Sequence, residues 1–158
     1  CDMTNYWLMK SEPNCFSIDD LIKSPNKTTC WDGIRNYQAR NFMRDNMQIN
    51  DKVFFYHSSC KQPGIVGIAE IASTAYPDYT AWDSTSEHPD SKSTPEKPIW
   101  YMVDVRFIEK IDPIISLQQL KKYTELTSFK LLQKGNRLSI FPVSVEHWNF
   151  IITKLGFL

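Results

Sequence analysis

The residues best suited to chemistry in this chain lie in one short segment, Cys30–Asn46 (CWDGIRNYQARNFMRDN). It combines a tryptophan, a tyrosine, three arginines and several amides, whereas catalytic sites usually gather histidine, cysteine or paired carboxylates. Flat bases stack on tryptophan and tyrosine, and arginines fork onto phosphates. The segment therefore favours a nucleic-acid contact over catalysis, although the pattern is also typical of a solvated helix face beside a core tryptophan.

Helical spacing would divide this segment into two faces if residues 36–47 form a helix. The face expected to enter the core carries Ala39, Phe42 and Met43. The opposite face carries Tyr37, Arg40, Asn41 and Arg44. We expect Arg40 and Arg44 to contact a phosphate backbone, because arginine suits phosphate geometry. Gly33, just before the helix, permits a close approach or a positive φ.

Other chemistry has less support. His57 and Cys60 have a spacing that suits two metal ligands, and Cys15 or Cys30 could complete a set, but structural zinc sites usually show two close pairs. We therefore expect no metal. A Cys30–His57 nucleophile pair stays open as an enzyme alternative, without a local signature to support it. A glycine-rich phosphate loop, HExxH and GxSxG are all missing from the sequence, so we expect neither a cofactor nor catalysis.

Composition limits the partners. The chain has 158 residues, 42% of them hydrophobic, which suits one domain with a normal core. Its 18 basic residues balance 18 acidic ones, which argues against tight sequence-independent nucleic-acid binding but leaves room for a local basic patch. The four cysteines form no CxxC pair, and neither a secretory signal nor a membrane-length apolar run is visible. We expect an intracellular protein with free thiols and no membrane partner.

Apolar periodicity predicts the elements that position these residues. Strands are expected at Asn5–Lys10 and Arg137–Val143, with a hairpin over Val53–Ser73. Ile99–Ile111 is the longest strand candidate, and Tyr79–Pro98 reads as a long surface loop.

Three serines predict the beginnings of further helices. Ser17 forms a capping box with Asp20, and Ser116 and Ser144 are candidate N-caps. The apolar stripe of the last helix comprises Val145, Trp148, Ile151, Ile152 and Leu155. About five strands with short helices and no regular βαβ crossover predict an α+β domain built on a small curled β-barrel flanked by short helices.

Strand alternation also assigns faces. In the hairpin it puts Phe54, Tyr56 and Ser58 on one side and Val53, Phe55 and His57 on the other. We expect the domain to span residues 3–158, because Met3 is a natural start and the two residues before it then read as a cloning remnant.

Several segments together resemble the EVE domain family of the PUA-like superfamily, particularly its thymocyte nuclear protein-like branch. The resemblance runs over nearly the whole chain in the order of the family. Its segments are WLMKSEP at Trp7–Pro13, CWDGIRNYQARNFMR at Cys30–Arg44, FFYHSSCKQPGIVGIAEI at Phe54–Ile71, YPD at Tyr76–Asp78, WYMVDVRF at Trp100–Phe107 and RLSIFPV at Arg137–Val143.

The resemblance implies a PUA-like fold and a non-catalytic reader that takes an extruded modified base into an aromatic and polar pocket. Modified cytosine in DNA is the implied ligand; a reader of modified RNA and a small-molecule binder stay open. The residues that match the pocket motifs of the family are Lys10, Ser11, Trp31, Ile34, Arg35, Asn36, Tyr56, Ser58, Leu138 and Ser139. Phe141 departs from the glutamine often found there, which puts a polar contact in doubt.

The resemblance also bears on location. We expect a cytoplasmic protein if the host is bacterial, which we favour, and a nuclear one if it is eukaryotic. The sequence identifies no oligomeric partner.

Overall fold

A computed structural model describes residues 5–86, 89–135 and 138–154, without the side chain of Asp112. Met3, His88, Arg137 and Leu155 lie outside the described residues. The strands are β1 Tyr6–Ser11, β2 Thr28–Cys30, β3 Lys52–His57, β4 Gly64–Ile71, β5 Tyr76–Pro77, β6 Tyr101–Met102, β7 Asp104–Ser116 and β8 Ile140–Val143. The α-helices are α1 Ile18–Lys23, α2 Tyr37–Asn41, α3 Leu117–Leu120 and α4 Val145–Lys154.

Six strands form one curled sheet in the order β2-β7-β4-β3-β1-β8, and β5 and β6 form a separate two-stranded ribbon. β1 and β3 run parallel, and β8 runs antiparallel to β1. The carboxyl ends of β1 and β3 therefore lie beside the amino end of β8. This end of the sheet is where the predicted residues of β1, β3 and the start of β8 meet.

The sheet has a hydrophobic core on each face. The first contains Trp7, Met9, Val53 and Phe55, and helices α1 and α2 contribute to it. The second core, which α3 and α4 help to cover, contains Leu8, Phe54, Tyr56 and Phe141. Neighbouring residues of β1 and of β3 thus enter different cores, which confirms the predicted alternation.

The predicted helix starts are confirmed by their caps. Ser17 and Asp20 form the full capping box of α1. The Ser116 side chain accepts a hydrogen bond from the Gln119 N–H at the start of α3, and α4 begins directly after Ser144. The helix predicted over residues 36–47 is α-helical only through Asn41 and continues as a π-helical turn over Phe42–Asn46.

The strand predicted over Ile99–Ile111 is wrong in both of its bounds. It breaks at Val103 into β6 and β7, and β7 then continues through Pro113 to Ser116. Pro113 is accommodated because the register shifts between the pairs Gly67–Lys110 and Ile65–Ile115, leaving residues 111–114 in an irregular stretch. A proline is tolerated there because no ladder N–H is required of it.

Two smaller expectations are also corrected. The segment Tyr79–Pro98 is not simply a surface loop, because it includes a 3₁₀ turn at Tyr79–Ala81, and Thr80, Ala81 and Ser93 are buried. Val145 does not join the buried stripe of α4, since 51% of it is exposed. The fold class itself, α+β with a curled sheet flanked by short helices, is confirmed.

Candidate nucleic-acid interface

Four of the predicted base-site residues meet where β1, β3 and β8 come together. Lys10 pairs with Tyr56 across β1 and β3. The Lys10 N–H donates to the Ser139 carbonyl at 2.8 Å, and the Ser58 N–H donates to the Ser11 carbonyl at 2.9 Å. We call Lys10, Tyr56, Ser58 and Ser139 the strand-end cluster. The backbone hydrogen bonds fix its members relative to one another.

The side chains of the strand-end cluster have polar groups that the fold does not use. Within the described residues, no hydrogen bond or ion pair engages the Lys10 ammonium, the Tyr56 hydroxyl or the hydroxyls of Ser58 and Ser139. No fully buried side-chain nitrogen or oxygen among the described residues lacks a partner, so each of these groups keeps some contact with solvent. They can therefore bind a polar ligand without first breaking an internal contact.

Burial tunes the electrostatics of this cluster. It raises the pKa of Tyr56 to about 12, with a smaller contribution from Cys60. Tyr56 as a whole is only 3% exposed and packs in the second core. Burial also lowers the pKa of Lys10, whose Nζ lies 5.9 Å from the centre of the Phe141 ring. The Tyr56 hydroxyl and the Lys10 ammonium are both hydrogen-bond donors.

Phe141 is fully buried. Its ring lies against the second core and beneath the Lys10 ammonium. Phe141 therefore supplies an apolar wall beside the cluster. Leu138, another predicted site residue, is partly buried against the same core.

The other predicted residues lie toward the first core. Trp31 is 7% exposed, and its ring meets that of Phe55 edge-on at 5.5 Å. Ile34 packs against the same core. The Ser11 hydroxyl donates to the Phe16 carbonyl at 2.5 Å, and the Asn36 side chain caps α2 by accepting from the Ala39 N–H at 2.9 Å. These polar groups therefore have structural partners.

Arg35 belongs to a network centred on a residue that the sequence analysis did not single out, Asp78. Asp78 is fully buried, and its carboxylate accepts hydrogen bonds from the Gly33 N–H at 2.8 Å and Arg35 Nη1 at 3.0 Å. It also accepts from the N–H and the hydroxyl of Thr80. Burial alone would raise the pKa of Asp78, but these hydrogen bonds outweigh it and lower the pKa. The network ties the loop before α2 to residues 78–80.

Gly33 has a φ of 77°, a left-handed conformation that favours glycine. This conformation lets its N–H point at Asp78. The sequence signal for the network was present in the YPD segment, which the family resemblance included, but a lone aspartate before a loop does not reveal a buried partner.

Arg40 is also held by the fold. Its Nη1 donates to the Ile99 carbonyl at 3.0 Å, and its guanidinium lies 4.9 Å from the centre of the Tyr37 ring. Tyr37 in turn lies 4.8 Å from Trp100, whose indole N–H donates to Asp90 at 2.6 Å. Sequence reasoning also missed this role of Trp100, although it lies in a family segment.

Arg44 is exposed and forms a salt bridge with its neighbour Asp45 at 2.9 Å. The phosphate contacts predicted for Arg40 and Arg44 therefore stay a prediction. Both guanidinium groups would approach a phosphate with some of their hydrogen-bonding capacity already engaged.

The residues considered for metal or nucleophilic chemistry have other environments. His57 Nε2 accepts from the Ile18 N–H at 3.1 Å, at the beginning of α1. Burial is the main cause of a raised pKa of the Cys30 thiol, and the charge of the nearby Asp32 adds to it. A raised pKa leaves less thiolate, so Cys30 is a weaker nucleophile. The described residues contain no group of three or more His, Cys, Asp or Glu placed to hold a metal. Their helices are too short or too polar to cross a membrane.

Comparison with known proteins assigns the family. The EVE domain model matches residues 5–154. The chain belongs to the EVE domain family. Mouse thymocyte nuclear protein 1 is 44% identical over 169 aligned residues, which cover 96% of this chain and 74% of the mouse protein.

Solved structures agree with this assignment. The EVE domain superposes with a TM-score of 0.89 on human THYN1 protein in complex with DNA containing 5-methylcytosine, at 42% identity over 94% of this chain and 96% of that one. A hypothetical protein from Leishmania major gives a TM-score of 0.89 at 50% identity, covering 95% of this chain and 93% of that chain. The resemblance deduced from the sequence motifs is thereby confirmed.

Proposed function

We propose that this EVE domain is a non-catalytic reader of DNA that carries a modified cytosine. The extruded base would enter at the strand-end cluster, and we expect the loop from Trp31 to Asn36 to contribute to its binding. The observation that carries the proposal is the set of unused polar groups on Lys10, Tyr56, Ser58 and Ser139. The human relative bound to DNA containing 5-methylcytosine supports the choice of ligand.

Unused polar groups on a rigid backbone favour binding. The backbone of the strand-end cluster is fixed by the sheet, so a ligand would not have to order it. Most polar groups elsewhere in this region, including those of Ser11, Arg35 and Asn36, already have partners. A ligand that supplies acceptors to the cluster would gain hydrogen bonds without displacing internal ones.

The energetics favour modest binding. Extruding a paired base costs a few kcal/mol, and stacking on an aromatic side chain returns about 1–3 kcal/mol. The base contacts would therefore roughly cancel the cost of extrusion. Net affinity must come from the phosphate backbone, which makes the binding sensitive to salt.

The cluster also limits discrimination. Burying one methyl group contributes about 0.8 kcal/mol, roughly a fourfold preference. A modification with an acceptor oxygen could gain about 0.5–1.5 kcal/mol from a hydrogen bond, and more if it is charged. Because Lys10 and Tyr56 are donors, we expect several modified cytosines to bind, with the oxidised ones preferred.

Fluorescence anisotropy with short labelled duplexes tests this function. The duplexes carry one cytosine, methylcytosine, hydroxymethylcytosine, formylcytosine or carboxylcytosine. We expect tighter binding to the modified duplexes, and we expect Tyr56→Phe to reduce the preference for oxidised bases about threefold to tenfold, the effect of one hydrogen bond. Tyr56→Phe keeps the buried ring and removes only the unused hydroxyl, so its stability should match wild type.

Tyr76→Phe is the matched control. The Tyr76 hydroxyl donates to Asp104 at 2.5 Å, so this variant loses an internal hydrogen bond and about 1 kcal/mol of stability but keeps the base preference. Trp31→Ala is less suitable, because emptying a buried tryptophan site costs about 3–5 kcal/mol and could unfold the chain. Equal affinity of the wild-type protein for all five duplexes at low salt would overturn the proposal, and matched RNA oligonucleotides would then be tested.

A further inference from the structure

Positive charge is concentrated in the last part of the chain. Residues 117–158 contain six lysines and arginines but two carboxylates, although the whole chain has no formal net charge. We call residues 121–134 the basic segment. Its lysines, all exposed, are Lys121, Lys122, Lys130 and Lys134. A concentration of positive charge on one surface segment attracts polyanions such as nucleic acid.

Apolar side chains hold the basic segment in place beneath its lysines. Leu126 and Phe129 are buried in the second core, and the Phe129 ring lies 6.4 Å from that of Phe141. The Tyr123 ring lies 5.5 Å from that of Phe150 in α4. The lysines therefore extend from an anchored backbone rather than from a free loop.

The chain a few residues before and a few residues after the basic segment is hydrogen-bonded to the end of the sheet that carries the strand-end cluster. Before it, the Leu117 N–H donates to the carbonyl of Pro63, in the turn that follows Ser58, at 2.9 Å. After it, the chain reaches Ser139, whose carbonyl accepts from the Lys10 N–H at 2.8 Å. If an extruded base of a DNA strand lies in the strand-end cluster, we therefore expect the phosphates of that DNA strand to lie near the basic segment.

The lysines of the segment differ from the arginines of α2 and its π-helical turn in their partners. Among the described residues, Lys121, Lys122 and Lys134 form no ion pair or hydrogen bond through their ammonium groups. Arg44 is paired with Asp45, and Arg40 donates to the Ile99 carbonyl. Lys121, Lys122 and Lys134 can therefore neutralise phosphates without giving up an internal contact.

We propose that the basic segment binds the phosphate backbone of the DNA, with Lys121, Lys122 and Lys134 as the contacting residues. This inference rests on the proposed function and adds to it the path of the backbone. Each contact should contribute about 0.9 to the slope of log affinity against log salt. The contacts carry no sequence information, so they strengthen binding to modified and unmodified duplexes alike.

The experiment measures affinity for a methylcytosine duplex and an unmodified duplex from about 50 to about 200 mM salt. The test variant removes three charges from the segment: Lys121→Gln, Lys122→Gln and Lys134→Gln. The matched control removes three from elsewhere: Lys23→Gln, Lys27→Gln and Lys52→Gln. Lys52 begins β3, at the opposite end of that strand from Tyr56.

We expect the salt slope of the test variant to be smaller than that of wild type by about 2.7, for three lost contacts. The affinity of the test variant should therefore be furthest below that of wild type at low salt, and the ratio of the two affinities should shrink about fortyfold over this salt range. The ratio of affinities for the two duplexes should stay at the wild-type value, and the control variant should behave as wild type. A test variant that binds as tightly as the control, while wild type still prefers the modified duplex, overturns this inference and leaves the proposed function standing.

Two other results also decide the matter. A changed affinity ratio in the test variant would mean that the lysines act on the base, which overturns their assignment to the backbone. If wild type shows no preference between the duplexes, the proposed function fails, and the backbone path proposed here fails with it.

Discussion

Two regions of this EVE domain are rich in polar and aromatic residues, and they differ in whether the fold uses those residues. In the segment around α2, Arg35 is bound to Asp78, Arg40 to the Ile99 carbonyl and Arg44 to Asp45. In the strand-end cluster and the basic segment, the polar groups of Lys10, Tyr56, Lys121, Lys122 and Lys134 have no hydrogen-bond or ion-pair partner among the described residues. Residue type marks both regions as candidates, but only the unused groups are ready for a ligand.

The largest effect that would sharpen this comparison is expected at Asp78. Asp78→Asn keeps the shape of the side chain but removes the charge that holds Arg35 and two backbone N–H groups, so we expect a loss of about 3 kcal/mol of stability. Urea unfolding measures it. Asp83→Asn, at an exposed turn, is the control and should unfold at about the same urea concentration as wild type.

The same variant has a signature in its pH dependence. The pKa of Asp78 is lower in the folded protein than in the unfolded chain, where it is about 3.9. The stability that the Asp78 carboxylate contributes is therefore present above the unfolded pKa and is lost as pH falls through the folded pKa. The gap between wild type and Asp78→Asn should therefore narrow below about pH 4. A gap that stays constant with pH would show that the carboxylate charge does not hold this region together.

A smaller effect is expected at His57, the neighbour of Tyr56 in β3. Burial lowers the pKa of His57; Asp19 opposes this shift and Lys110 adds to it. The Nε2 atom of His57 accepts a hydrogen bond from the Ile18 N–H. The stability that neutral His57 contributes is complete above its unfolded pKa of about 6.5 and is lost as pH falls through its folded pKa. Below about pH 6.5 we expect wild type to lose about 1 kcal/mol, the scale of one hydrogen bond.

The measurement for His57 is urea unfolding as a function of pH, and His57→Gln is the informative variant. Glutamine keeps an acceptor but does not titrate, so the part of the slope that belongs to His57 should disappear. An unchanged slope would assign the pH dependence to other groups.

The smallest effect is expected at Arg44. Its pairing with Asp45 is exposed on both sides and is screened by solvent, so Arg44→Gln should leave the free energy of unfolding close to that of wild type. Lys122→Gln should lower the slope of log affinity for DNA against log salt by about 0.9, the value for one full phosphate contact. Arg44→Gln should lower that slope by less. If Arg44→Gln lowers the slope as much as Lys122→Gln does, the distinction between the two regions fails for the phosphate contacts.

Local sequence predicted the elements well where the signal is local. The capping box at Ser17 and Asp20, the alternation of β3 and the Ser116 cap depend on residues within one turn or one strand, and all are confirmed. The break at Val103 and the passage of β7 through Pro113 were not predictable, because they depend on which strand lies alongside.

The candidate site divides in the same way. Motifs nominated Lys10, Tyr56 and Trp31, but the burial of Trp31 against Phe55 depends on a contact between residues far apart in the chain. Asp78 was not singled out because its three partners come from Gly33, Arg35 and Thr80, and only folding brings the first two to it.

The sequence by itself determined the family, the fold class and the residue types available for recognition, because motifs, periodicity and caps are written in short stretches. The tertiary structure decided which of those residues are already occupied. A hydrogen bond or ion pair depends on the distance between atoms, and for groups distant in the chain that distance exists only once the sheet has formed. The parallel pairing of β1 and β3 brought the strand-end cluster together, and no local pattern in either strand specifies that neighbour.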